Sequence, residues 1–69
     1  MNRTTYSLIS KESENGKAYG LSAAKEGIVI LSIEDISPDE LFVSGIIDLF
    51  NREQLDPIQV FDVLEDMLP

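Results

Sequence analysis

Apolar positions along the chain fall into two regimes that meet near Glu34. Upstream, short runs rich in Tyr, Ile, Val, Ser and Thr alternate with polar residues and are punctuated by glycine, the pattern of strands. Downstream, apolar residues return every three or four positions, the pattern of helices. In the first regime Asn15-Gly16 is the pair favoured in a two-residue type I′ hairpin, because both turn positions need a positive φ. That turn would oppose Tyr6 to Lys25, Leu8 to Ala23, Ser10 to Leu21 and Glu12 to Tyr19, with Glu14 and Lys17 closing it as an opposite-charge pair. Tyr6, Leu8, Tyr19, Leu21 and Ala23 then share one face, whereas Ser7, Lys11, Ala18, Gly20, Ser22 and Ala24 share the other with Ile9. One face is apolar and the other nearly polar, as in a sheet covered on one side. Gly20 reads as a bulge.

A third strand, Ile28–Ile33, follows a turn near Lys25-Glu26-Gly27. It is apolar at nearly every position, so a single covering layer would leave part of it bare. Two helix starts come next. Ser37-Pro38-Asp39-Glu40 offers an N-cap, a proline at the first helical position and a capping-box glutamate, with Ile36 and Leu41 as a hydrophobic staple. Asp56-Pro57-Ile58-Gln59 repeats the arrangement with a Leu55 to Val60 staple. A first helix from Pro38 to about Arg52 would gather Phe42, Val43, Ile46, Ile47, Leu49 and Phe50 on one arc, with Gly45 allowing a neighbour to come close. A second from Pro57 to about Leu68 would gather Val60, Phe61, Val63, Leu64, Met67 and Leu68. These elements predict a single α+β domain over residues 1–69: a three-stranded antiparallel β-meander with two C-terminal α-helices packed on one face.

Composition then narrows the chemistry. The 69 residues contain no cysteine and no histidine, which removes thiolate and imidazole nucleophiles, bases and soft metal ligands. Neither the Asp62, Glu65 and Asp66 cluster nor the Glu34-Asp35 pair has a companion nucleophile or electrophile, so no catalytic residues are expected and the chain reads as a non-enzyme without cofactor or metal. The opening residues lack the apolar stretch of a secretory leader, and no run approaches a membrane span, so a cytoplasmic location is expected. The net charge is −8, and residues 34–69 hold ten of the thirteen carboxylates but, of the five bases, only Arg52. Such a chain repels phosphate backbones and anionic lipid, so neither nucleic acid nor membrane is expected as a direct partner.

Two surfaces remain as candidates. Asp62, Glu65 and Asp66 are spaced so that their carboxylates neighbour one another on the second helix, forming an acidic face for docking a protein. Ile9, Ile28 and Ile30 form the candidate dimer surface. The plain alternatives are a solvated acidic face and scattered exposed aliphatic residues. The expected function is a small acidic protein–protein interaction module, homodimeric, with an unknown protein partner. One alternative is an acidic mimic of nucleic acid that inhibits a DNA- or RNA-binding protein. Another is a small-molecule or divalent-cation binder, although no Asp-x-Asp-x-Asp-Gly loop is present.

The run from Asn51 to Leu68, with Tyr19-Gly20-Leu21 and Asp35-Ile36-Ser37 before it, resembles a family of small uncharacterised proteins from clostridia and related Firmicutes. The resemblance spans nearly the whole chain and implies a small bacterial cytoplasmic protein without naming an activity. Gln59 stands where a histidine often stands in that family.

Overall fold

The computed structural model describes residues 3–67. Strands β1 (Thr4–Ser13), β2 (Gly16–Lys25) and β3 (Ile28–Ser37) form an antiparallel sheet in the order β1-β2-β3. Helix α1 (Glu40–Glu53), a single 3₁₀ turn (Pro57–Gln59) and helix α2 (Val60–Met67) follow. The meander with two helices on one face is therefore the architecture.

The register of the first hairpin differs from the expected one by two residues. Tyr6 opposes Ala23, Leu8 opposes Leu21, Glu12 opposes Lys17, and Ser13 with Gly16 closes the turn. Glu14 and Asn15 keep negative φ and only Gly16 is positive, at +115°, so a two-residue turn of ordinary backbone is followed by one glycine. This spares Asn15 the left-handed conformation that a type I′ turn would force on it. The Ser13 hydroxyl donates to the Gly16 carbonyl at 3.0 Å and pins the alternative. Because the slip is an even number, every side chain keeps its expected face. The type I′ geometry occurs instead in the second hairpin, where Glu26 (φ 54°) and Gly27 (φ 81°) both lie in the left-handed region between Lys25 and Ile28.

Strand β3 runs four residues beyond Ile33, through the acidic pair Glu34-Asp35, so the change of period at Glu34 does not end the sheet. The strand is irregular at two places. Ile30 is an extra residue between the pairs Ala23–Leu31 and Ala24–Val29, and Glu34–Ile36 together face only Gly20. Asp35 takes a φ of 60° inside the second irregularity. Gly20 is required there, because any Cβ at this position would collide with the Ile33 carbonyl oxygen. The bulge at Gly20 is thus a close backbone approach as well.

Helix α1 is capped by Asp39 and not by Ser37. The Asp39 carboxylate accepts from the Leu41 and Phe42 amides at 3.1 and 3.3 Å, while the Ser37 hydroxyl accepts from the Asp39 amide at 3.1 Å. Ser37 is held in β3 by its pairing with Tyr19, which moves the start of the helix two residues on. Leu41 is 83% exposed, so the expected staple with Ile36 does not form. At the other start Asp56 does cap, accepting from the Ile58 amide at 3.0 Å. The first turn after it is 3₁₀, and α-helix begins at Val60. The expected end of α2 at Leu68 lies outside the described residues.

Between the helices, Gln54 adopts φ 51°, its amide donating to the Asn51 carbonyl at 3.4 Å and the Leu55 amide to the Phe50 carbonyl at 3.1 Å. This is a Schellman ending made without glycine. The core comprises Tyr6, Leu21 and Ala23 from the sheet, Val43, Ile46, Ile47 and Phe50 from α1, and Val60 and Leu64 from α2. Tyr6 joins the layers. Its ring meets Phe50 edge-on at 5.3 Å, and its hydroxyl donates to the Leu55 carbonyl at 2.7 Å. Its own backbone amide donates to Asn51 Oδ1 at 2.8 Å, and Asn51 Nδ2 donates back to the Tyr6 carbonyl at 2.9 Å.

Candidate functional site

The paired bonds between Asn51 and Tyr6 locate the first asymmetry of the surface. In an edge strand every second residue turns its amide and carbonyl outward, where another chain could pair with them. At Tyr6 those groups are taken by the side-chain amide of Asn51, which imitates a neighbouring strand. Farther along β1 the charges of Lys11 and Glu12 discourage pairing.

The outer edge of β3 has no such cover among the described residues. Ile28, Val29 and Ile30 are 67%, 62% and 47% exposed and stand next to one another at the Glu26-Gly27 end of the strand. Residues 27–33 carry no charge, whereas Lys25 and Glu26 precede them and Glu34 and Asp35 follow. Ile28 and Ile30 are thus both exposed at the same end of β3. Ile9 is half-buried opposite Gly20 on the sheet's open face, about 16 Å along β2 from the Ile28 end at ~3.3 Å per residue. Val29 joins the patch instead. Val29 pairs with Ala24, on the face of the sheet that the helices leave open.

The other candidate surface lies on α2. Asp62, Glu65 and Asp66 are all exposed. Among the described residues no three carboxylates converge in the way a metal ion would need. Glu65 differs from its two neighbours in position. Together with Ile33, Asp35, Ile36, Phe61 and Leu64 it lines a cavity of about 340 Å³ between α2 and the end of β3. Sequence patterning does not mark Asp35 or Phe61 as site residues. Phe61 reads as core by helical spacing but is 60% exposed, and Asp35 enters only through the irregularity opposite Gly20.

A second cavity of about 430 Å³, lined by Leu41, Phe42, Gly45, Ile46, Leu49 and Met67, runs along α1. A Cβ on Gly45 would meet nothing within 4 Å, so the close neighbour expected there is not part of this chain's described residues. The helix core is Val43, Ile46, Ile47 and Phe50, and the arc carrying Phe42 and Leu49 extends past it into this groove.

Among the described residues, one titratable group is perturbed. Burial lifts the Tyr6 phenol above its ordinary value of 10.0, and the nearby Asp56 carboxylate raises it further. The group is structural, since its proton is committed to the Leu55 carbonyl. Among the described residues, no helix is long and apolar enough to cross a membrane.

Neither the curated proteins nor the solved structures contain a match to this chain. A family model does match, over residues 1–69 and therefore from the first strand through the second helix. By that full-length match the chain belongs to a family of unknown function, DUF6514.

Proposed function

We propose that the protein is an acidic protein–protein interaction module of the bacterial cytoplasm, found in clostridia and related Firmicutes, that pairs with a second copy of itself through the Ile28–Ile30 end of β3. The observation that supports this reading is the asymmetry of the sheet: one edge is engaged by Asn51 and the other carries three adjacent exposed aliphatic residues. Charge favours a second copy at this place. A chain of net charge −8 repels its own kind over most of its surface, but residues 27–33 are neutral. An antiparallel two-fold contact there places the Glu34-Asp35 pairs of the two copies at opposite ends of the paired strands, away from each other. Ile30 sits in a bulge, so side chains rather than a long backbone ladder make the contact.

The patch is small, and the dimer belongs to the weak class that exchanges at micromolar concentration. Light scattering coupled to size exclusion should give a mass that rises from about 8 to about 15 kDa as the loading concentration reaches several hundred micromolar. Val29→Lys should hold the chain at the monomer mass with an unchanged circular dichroism spectrum. A strict monomer at that concentration would remove the reading. The acidic face of α2 is left free in this arrangement, and we assign it to a different protein with a basic surface.

A further inference from the structure

We infer that the cavity between α2 and the end of β3 receives a basic side chain, a lysine or arginine flanked by apolar residues, from an extended segment of a partner protein. The inference rests on the reading of α2 as an acidic docking face and narrows it to one pocket. Four walls of the cavity are apolar: Ile33 and Ile36 from β3, and Phe61 and Leu64 from α2. The remaining two lining residues are carboxylates, Asp35 from the strand and Glu65 from the helix. A wholly apolar ligand would leave two charges facing it, and a small hydrated cation would leave four apolar walls unused. A long side chain with an aliphatic stem and a cationic head satisfies both, the stem lying along Phe61 and Ile36 and the head between the acids.

Charge complementarity decides among occupants. Another copy of this chain would bring its own −8 to a pocket that already holds two carboxylates, with Glu34, Asp62 and Asp66 close by in sequence. A basic segment is attracted by the same field. No salt bridge among the described residues neutralises Asp35 or Glu65; the ion pair on this end of the sheet is Lys11 with Glu34 at 3.3 Å. The cavity volume of about 340 Å³ is ample for one such side chain and part of its neighbour. The uncovered edge of β3 beside it offers backbone groups to an extended segment.

The test uses the full chain and two probes: the capped pentapeptide Ile-Arg-Val-Lys-Ile, and the capped pentapeptide Gly-Arg-Gly-Lys-Gly, which has the same charge without the apolar residues. At 50 mM salt the first should bind, shifting the amide resonances of Ile33, Asp35, Ile36, Phe61 and Glu65. The double variant Asp35→Asn, Glu65→Gln should weaken it about tenfold, and Asp62→Asn, Asp66→Asn, which removes equal charge outside the cavity, less than twofold. Asparagine tolerates the positive φ at position 35, so the first variant keeps its backbone. If both probes bind equally and both variants weaken them equally, the pocket assignment is overturned and a diffuse acidic docking face stands. If neither probe binds, both fall.

Discussion

At the scale of single residues, Tyr6 and Asn51 hold the molecule together across 45 positions of sequence. Tyr6→Phe leaves the Leu55 carbonyl without its donor and should cost about 1–2 kcal/mol in urea unfolding. The same substitution removes a pH dependence. A phenol whose folded-state pKa is raised contributes stability in its neutral form, present in full below the unfolded value near 10 and lost as pH climbs through the folded one. Wild-type protein should therefore lose more stability between pH 9 and pH 12 than Tyr6→Phe does, when both are unfolded by urea across that range. Gly20→Ala places a methyl against the backbone of β3 and should cost on the order of 3 kcal/mol or prevent folding, which a thermal melt would reveal. The bulge at Gly20 was legible because glycine weakens the interior of a strand and is tolerated there mainly where the backbone bends or another segment comes close. The bond between Asn51 and Tyr6 was not, since nothing local in sequence tells an asparagine near a helix end which distant strand it will meet.

At the scale of elements, turn and cap chemistry decides where each begins. Asp39→Ala and Asp56→Ala should each lower stability by about 1 kcal/mol, and Ser37→Ala by less, in parallel chemical denaturation series. Equal losses at Ser37 and Asp39 would restore the expected start of α1. Glu26 occupies a left-handed position without the side chain that suits it, so Glu26→Asn should stabilise by about 0.5–1 kcal/mol. Strands and helices were readable because the apolar period changes from two to between three and four. Their exact starts were less so, because two acceptable caps, Ser37 and Asp39, stand two residues apart and pairing across the sheet chooses between them. The first hairpin misled for a similar reason. Asn15-Gly16 satisfies a type I′ turn locally, yet a neighbouring turn that uses only the glycine's positive φ costs less and leaves the faces of the sheet unchanged.

At the scale of the whole molecule, thirteen carboxylates against five bases on a chain of 69 residues make repulsion a general load on the fold. Raising sodium chloride from 10 to 300 mM should increase the melting temperature by several degrees as that repulsion is screened, a trend opposite to the one expected if surface ion pairs dominated. The charge asymmetry was evident from sequence alone. Which carboxylates lie beside apolar walls was not, because the cavity is assembled from two elements almost thirty residues apart.

The amide of Asn51 at Tyr6 bears on stoichiometry. A flat ribbon with both margins available can recruit neighbour after neighbour and grow into fibrils. Here one margin is engaged from within at Tyr6, so the contact proposed at the other would be self-terminating, ending at two subunits instead of propagating.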